Sequence, residues 1–255
     1  MGSIIEVRQV NKAFGALQVI NDCSIQVEEG SITGLIGPNG AGKSTLFNLI
    51  AGTFAPDSGR IHFAGEDITA VPSDQLFHRG LLRTFQIAQE FSHMTALENL
   101  MMVPPQAGEN IFNTWLRPAL VHEQELHVRQ KAMDVIEFIG LKHVRNELAG
   151  NLSGGQKKLL ELGRTMMVNA RVVLLDEIAA GVNRTLLQDL IRNIQRLNQE
   201  MGYTFLVIEH DMDMIAQLCN PVIVLAQGSV MVEGSIEAIQ NNQEVIEAYF
   251  GNDAH

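Results

Sequence analysis

Cysteine is nearly missing from this sequence. There are two in 255 residues, Cys23 and Cys219, with no CxxC pair and no metal-ligand spacing. That excludes a disulfide-stapled framework and a cysteine-held zinc site, and favours reduced thiols in a cytosolic compartment. Basic residues are scarce too: 18 lysines and arginines stand against 29 acids, a formal net charge of -11. A general nucleic-acid binder needs a basic stripe to displace counterions, so that class is excluded, and no nucleic-acid partner is expected. No apolar run approaches the ~18–20 residues of a membrane-spanning helix. The first ten residues, MGSIIEVRQV, carry neither a basic segment nor a long apolar one, so no secretory leader is expected. Any service to a membrane runs through a partner. Hydrophobic residues still make up 46% of the chain, enough for a large core.

Strand-like runs open the chain at Ile4 to Val10, Ser24 to Glu28 and Ile32 to Ile36, and another falls at Arg60 to Phe63. From about Ser73 to Val168 the signals are mostly helical, broken between Val103 and Pro118 by Pro104, Pro105, Gly108 and Pro118. Leu126, Ala132, Val135, Ile136 and Ile139 recur at helical intervals. Beyond Val168, strands at Val172 to Asp176, Thr204 to Glu209 and Val222 to Ala226 alternate with helices at Thr185 to Met201 and Met212 to Leu218. Alternation of this kind predicts an α/β fold with a mainly parallel sheet covered on both faces. Gln227-Gly228-Ser229 reads as a hairpin turn. The expected organisation is one domain over 1–255, with an α/β core from 1–86 and 169–255 and a helical insertion at 87–168.

Residues Gly37, Pro38, Asn39, Gly40, Ala41, Gly42, Lys43, Ser44 and Thr45 satisfy G-x-x-x-x-G-K-[ST] between a predicted strand and a predicted helix. The glycines let the backbone turn its N–H groups inward toward phosphate oxygens. The helix starting near Lys43 adds its positive dipole end. Lys43 is expected to reach the β- and γ-phosphates, and Ser44 to offer its hydroxyl to Mg²⁺. Val172 to Glu177 reads VVLLDE. Acids that end a buried parallel strand stand at the edge where open α/β sheets bind ligands. Asp176 is expected to hold Mg²⁺ through water, and Glu177 to polarise an attacking water.

A phosphate loop alone is shared by kinases, GTPases, helicases and transport engines. The sequence Leu152-Ser153-Gly154-Gly155-Gln156, ahead of the strand ending in Asp176, resembles the signature of ABC ATPases. Ser153 and two glycines at an apparent helix start (Gln156 to Val168) form a second anion cradle, which one nucleotide does not need from one chain. In the family this second cradle faces the ATP of a partner subunit, head to tail. The resemblance implies a P-loop (RecA-like) core with N-terminal antiparallel strands and ATP and Mg²⁺ as ligands. It also implies a second ATPase subunit, in a homo- or heterodimer. By the same resemblance Phe14 stacks on adenine with Val19 nearby, and Gln86 in RTFQ senses Mg²⁺ and water and links to the membrane subunit. His210 in VIEHDM contacts the γ-phosphate, and Ala179 to Asn183 occupy the D-loop position. Two positions depart from the family pattern: Ile178 replaces the usual proline, and Asn183 the usual aspartate.

Within the family, LLRTFQ, TALENLM, DEIAAGVN, VIEHDMDMI and VIEAYFG are most similar to ATPase subunits of branched-chain amino acid and amide importers. Urea importers and lipopolysaccharide-export ATPases share several of these features, so solute and direction of transport stay open. The resemblance implies integral permease subunits, indirectly a solute-binding protein, and a peripheral place on the cytoplasmic face of the inner membrane. A soluble ABC ATPase of DNA repair or translation usually fuses two cassettes or inserts a coiled coil, and neither occurs in these 255 residues. In Gln86 to Met101, the residues Phe91, Met94, Leu97 and Met101 are candidates for the docking groove of a permease helix.

Overall fold

The computed structural model describes residues 2–84, 90–103, 118–168 and 170–250. The break expected between Val103 and Pro118 lies largely outside them, and so does Gln86. The chain forms two compact units, one of Met1–Gln86, Arg171–Ala179 and Ile194–His255, the other of Ile87–Ala170 and Ala180–Asn193.

In the first unit, β1 (Ser3–Phe14) and β2 (Leu17–Glu28) make a long hairpin. With β4 (Ser58–Phe63) and β5 (Glu66–Asp67) they form an antiparallel sheet in the order β2-β1-β4-β5. The second sheet holds β3 (Ile32–Ile36), β6 (Leu81–Arg83), β7 (Val172–Asp176), β8 (Thr204–Ile208), β9 (Val222–Ala226) and β10 (Ser229–Gly234). Its order is β10-β9-β3-β8-β7-β6. All neighbours are parallel except β10, which turns back on β9 through the predicted Gly228 hairpin. Every residue of β3, β7 and β8 is buried, as expected for parallel strands covered on both faces. Helix α1 (Lys43–Ile50) drives Leu46, Phe47, Leu49 and Ile50 into the core beside β3. Truncating a buried aromatic such as Phe47 to alanine costs about 3–5 kcal/mol. Short helices α2 (Ser73–His78), α7 (Met212–Leu218), α8 (Ile236–Gln240) and α9 (Gln243–Phe250) complete this unit. Strand β6 falls in a stretch read as helical. Three residues carry no period, and only pairing with β7 defines the strand.

The second unit contains α3 (Ala96–Met101), α4 (Pro118–Phe138) and α5 (Gly154–Met166), and α6 (Arg184–Met201) contributes residues to both units. Ala132, Val135, Ile136 and Ile139 are buried as their spacing predicts, but Leu126 is exposed. Residues 180–193 belong to this unit although they were expected in the α/β core. Val182 and Leu186 pack on Gly155, where a Cβ would lie 2.6 Å from Leu186 Cδ1. No helix of the described residues is long and apolar enough to cross a membrane.

Candidate nucleotide site

The loop between β3 and α1 is pinned from outside. Gly228 N–H donates to the Ala41 carbonyl (3.0 Å), and Ala41 N–H to the Pro38 carbonyl (3.2 Å). A Cβ at Gly37 would stand 2.1 Å from the Leu225 carbonyl oxygen, so only glycine fits there. Gly42 caps α1 without a side-chain bond, which leaves the first N–H groups of the helix free of a capping oxygen. Lys43 bends back over the loop, and its ammonium donates to the carbonyls of Gly37 (2.7 Å) and Pro38 (3.1 Å). Burial pulls its pKa below the ordinary lysine value, while Glu177 and Asp176 oppose that pull. Ser44 is exposed at the start of the helix.

Asp176 ends β7 in register with Ile208 at the end of β8, so both strands deliver their next residues to one edge. Its carboxylate is fully buried. Oδ2 accepts from Arg83 Nη2 at 2.6 Å, and Oδ1 has no partner among the described residues. Removing one member of a buried ion pair of this kind costs about 3–5 kcal/mol. Glu177 follows with φ 48°, a left-handed conformation that costs a non-glycine residue about 1 kcal/mol or more. The Glu177 N–H donates to the Ile208 carbonyl (3.0 Å), and Oε1 lies 2.9 Å from His210 Nε2.

Sequence reasoning missed Glu209. It is 4% exposed, and Oε1 accepts from Ala179 N–H (2.8 Å) and Oε2 from His210 N–H (3.3 Å). Burial raises its pKa against those two bonds. An acid one residue before a candidate histidine was the available signal. Ile178 is buried where the family has proline, and the Ala179 N–H after it is satisfied by Glu209.

Phe14 ends β1 at 49% exposure, edge-on to Phe54 with ring centroids 5.5 Å apart. Lys12 Nζ lies 5.7 Å from the Phe14 centroid and pairs with Asp57 at 2.7 Å. Val19 is half-buried, and its carbonyl lies against Gly42, 2.8 Å from where a Cβ would be.

In the second unit, α5 starts at Gly154, two residues before the expected position, because Ser153 caps it. Gln156 N–H donates to Ser153 Oγ (3.4 Å), and Ser153 N–H to Gln156 Oε1 (2.9 Å). Capping uses a lone pair of the hydroxyl and leaves its O–H free to donate. Ser153 and Gly154 are exposed, Gln156 is half-buried, and Leu152 and Gly155 are buried. Asn183 Oδ1 accepts from Leu186 N–H (3.0 Å) and caps α6, a role asparagine and aspartate fill alike. Of the four groove candidates only Phe91 is exposed, Met94 and Met101 are half-buried, and Leu97 is buried.

A family profile for ABC transporters matches residues 20–180. A probable branched-chain amino acid transport ATP-binding protein LivG of Archaeoglobus fulgidus is 41% identical, covering 97% of this chain and 95% of its own. The high-affinity branched-chain amino acid transport ATP-binding protein BraF of Pseudomonas aeruginosa is 36% identical, with 97% and 98% covered. The crystal structure of a nucleotide-free ATP-binding cassette from an ABC transporter superposes with a TM-score of 0.84 at 36% identity, over 98% of this chain and all of that one. The ADP conformation of a cassette gives 0.83 at 35% identity, with the same coverage.

Proposed function

The chain belongs to the ABC transporter family, and from that premise we propose that it is the ATP-hydrolysing subunit of a branched-chain amino acid importer. The observation that carries the chemistry is convergence within one unit. Lys43, Asp176, Glu177 and His210 meet at the edge where β3, β7 and β8 end.

When nucleotide enters, Lys43 exchanges the carbonyls of Gly37 and Pro38 for phosphate oxygens, and the open N–H groups of α1 take others. Phe14 offers its ring to adenine. The residues present fit Mg²⁺: Ser44 is exposed at the cradle, and Asp176 Oδ1 is buried with no partner among the described residues. Ser44, Asp176 through water, and Gln86 would hold it, and the ion would neutralise charge on the phosphates. Glu177 takes a proton from the attacking water. His210 holds Glu177 in place and reaches the γ-phosphate.

Leu152 to Gln156 serve the ATP of a second cassette, and the free O–H of Ser153 and the Gly154 N–H are the donors offered. A cassette solved as a dimer, 22% identical, shares the fold. Integral permease subunits dock beside Phe91, which puts the chain on the cytoplasmic face of the inner membrane, with a solute-binding protein acting indirectly.

The test is uptake of labelled leucine by proteoliposomes holding this chain and the membrane subunits that co-purify with it. ATP-driven uptake that stops with Glu177→Gln is expected. ATPase activity coupled to urea, or to lipopolysaccharide release, and not to leucine, isoleucine or valine would reassign the solute.

A further inference from the structure

Arg83 closes the short edge strand β6, where it pairs with Leu174 of β7. Its guanidinium forks: Nη2 donates to Asp176 Oδ2 at 2.6 Å, and Nη1 donates to Asn48 Oδ1 at 2.6 Å. The cation also lies 6.0 Å from the Phe47 ring centroid. Asn48 and Phe47 belong to α1, one turn past Ser44. The arginine therefore ties the acid at the end of β7 to the helix that carries the phosphate cradle.

A buried carboxylate with no counter-charge either neutralises or moves toward water. A carboxylate held by one flexible cation can also rotate and present either oxygen. A planar fork fixed at its second prong by Asn48 removes that freedom, which a lysine cannot do. Here Oδ2 is occupied, and Oδ1 has no partner among the described residues. We propose that Arg83 is a positioning residue for the metal side of the site, one that holds Asp176 buried and turned so that Oδ1 alone is offered to the water shell of Mg²⁺. This deepens, and rests on, the reading of Ser44 and Asp176 as the magnesium side. In this reading Arg83 acts only through Asp176.

The experiment uses the full chain as wild type, Arg83→Met and Arg83→Lys. Three quantities are read: ATP affinity without divalent metal, the free Mg²⁺ that half-saturates hydrolysis, and the electron paramagnetic resonance spectrum of Mn²⁺ on protein loaded with a non-hydrolysable ATP analogue. Metal-free ATP affinity is expected to stay within about 2-fold of wild type, because Lys43 and the loop are untouched. Half-saturating Mg²⁺ is expected to rise about 10–100-fold in Arg83→Met, the usual loss when a residue supporting a metal ligand is removed. Arg83→Lys is expected to recover part of that loss, and the Mn²⁺ spectrum to differ from wild type in both variants. A folded Arg83→Met with wild-type Mg²⁺ demand and Mn²⁺ spectrum overturns the proposal. So does a parallel loss of metal-free and metal-dependent binding, which marks a merely structural role. If Arg83→Met does not fold, Arg83→Lys decides, and wild-type values there overturn the proposal. If wild type itself hydrolyses ATP without any divalent metal, the magnesium reading fails first, visibly in wild type alone, and this proposal falls with it.

Discussion

His210 Nε2 stands 2.9 Å from Glu177 Oε1, across 33 residues of sequence. The contact follows from topology. β7 and β8 are parallel neighbours in register, so the residues after Asp176 and Ile208 leave the sheet side by side. Glu209 closes the ring by holding the backbone N–H groups of Ala179 and His210 on one carboxylate. The left-handed turn at Glu177 is kept by this frame.

Glu177→Gln is expected to keep ATP binding and to slow turnover about 10²–10⁴-fold, since an amide has similar shape but takes no proton. Steady-state phosphate release and equilibrium ATP binding on one preparation check this. ATP held without hydrolysis is also expected to trap two chains together. Turnover near the wild-type rate would remove Glu177 from the chemistry.

Lys43→Ala is expected to weaken ATP binding about 10–100-fold, the size of one charged hydrogen bond. Calorimetric titration with ATP measures it. Native affinity would mean that the loop carbonyls of Gly37 and Pro38 are the lasting partners of this ammonium.

Much of this was legible in advance, for physical reasons. The phosphate loop and the strand VVLLDE announce themselves because each residue type has a local duty, whether tight turn, point charge or buried apolar run. The parallel sheet follows from alternation. Strand β6 and Glu209 were not legible, since one exists only by pairing with β7 and the other acts only across two strand ends. Arg83 lies in the LLRTFQ run, but its partners Asn48 and Asp176 stand 35 and 93 residues away. Leu126 faces solvent because it stands six residues before Ala132, about 120° round the helix from the stripe of Ala132, Val135, Ile136 and Ile139.

The raised pKa of Glu209 has a signed consequence. Between the ordinary glutamate value and the raised folded value, the folded chain binds more protons than the unfolded one. Stability therefore falls as pH rises through that window and levels off above it. In Glu209→Gln this contribution disappears, so the stability of wild type minus that of the variant is expected to decline with rising pH. Urea unfolding of both proteins from about pH 4.5 to 8 reads the difference. Parallel curves would place the titration elsewhere.

Phe91 is the exposed member of the docking set, and Arg164 stacks over it at 5.8 Å. Phe91→Ser is expected to leave the ATPase rate of the isolated chain within about 2-fold of wild type, while binding to the membrane subunits drops about 10-fold or more, as for an interface aromatic. Co-purification and ATPase assays on the same variant check both. Native transport with serine at 91 would move the docking surface to another face.

If one chain carries half of each ATP site, two differently disabled variants complement each other when mixed. Lys43→Ala disables the cradle, and Ser153→Arg disables the signature offered to a partner. Each variant alone is expected to lose most of its activity at an ATP concentration that just saturates wild type. Mixed in equal amounts, half of the dimers pair one of each, and each such pair holds one intact cradle facing one intact signature. The mixture is expected to regain ATPase activity, up to about one quarter of the wild-type rate per chain. A mixture as inactive as its components, or a Ser153→Arg protein that is fully active by itself, would contradict it.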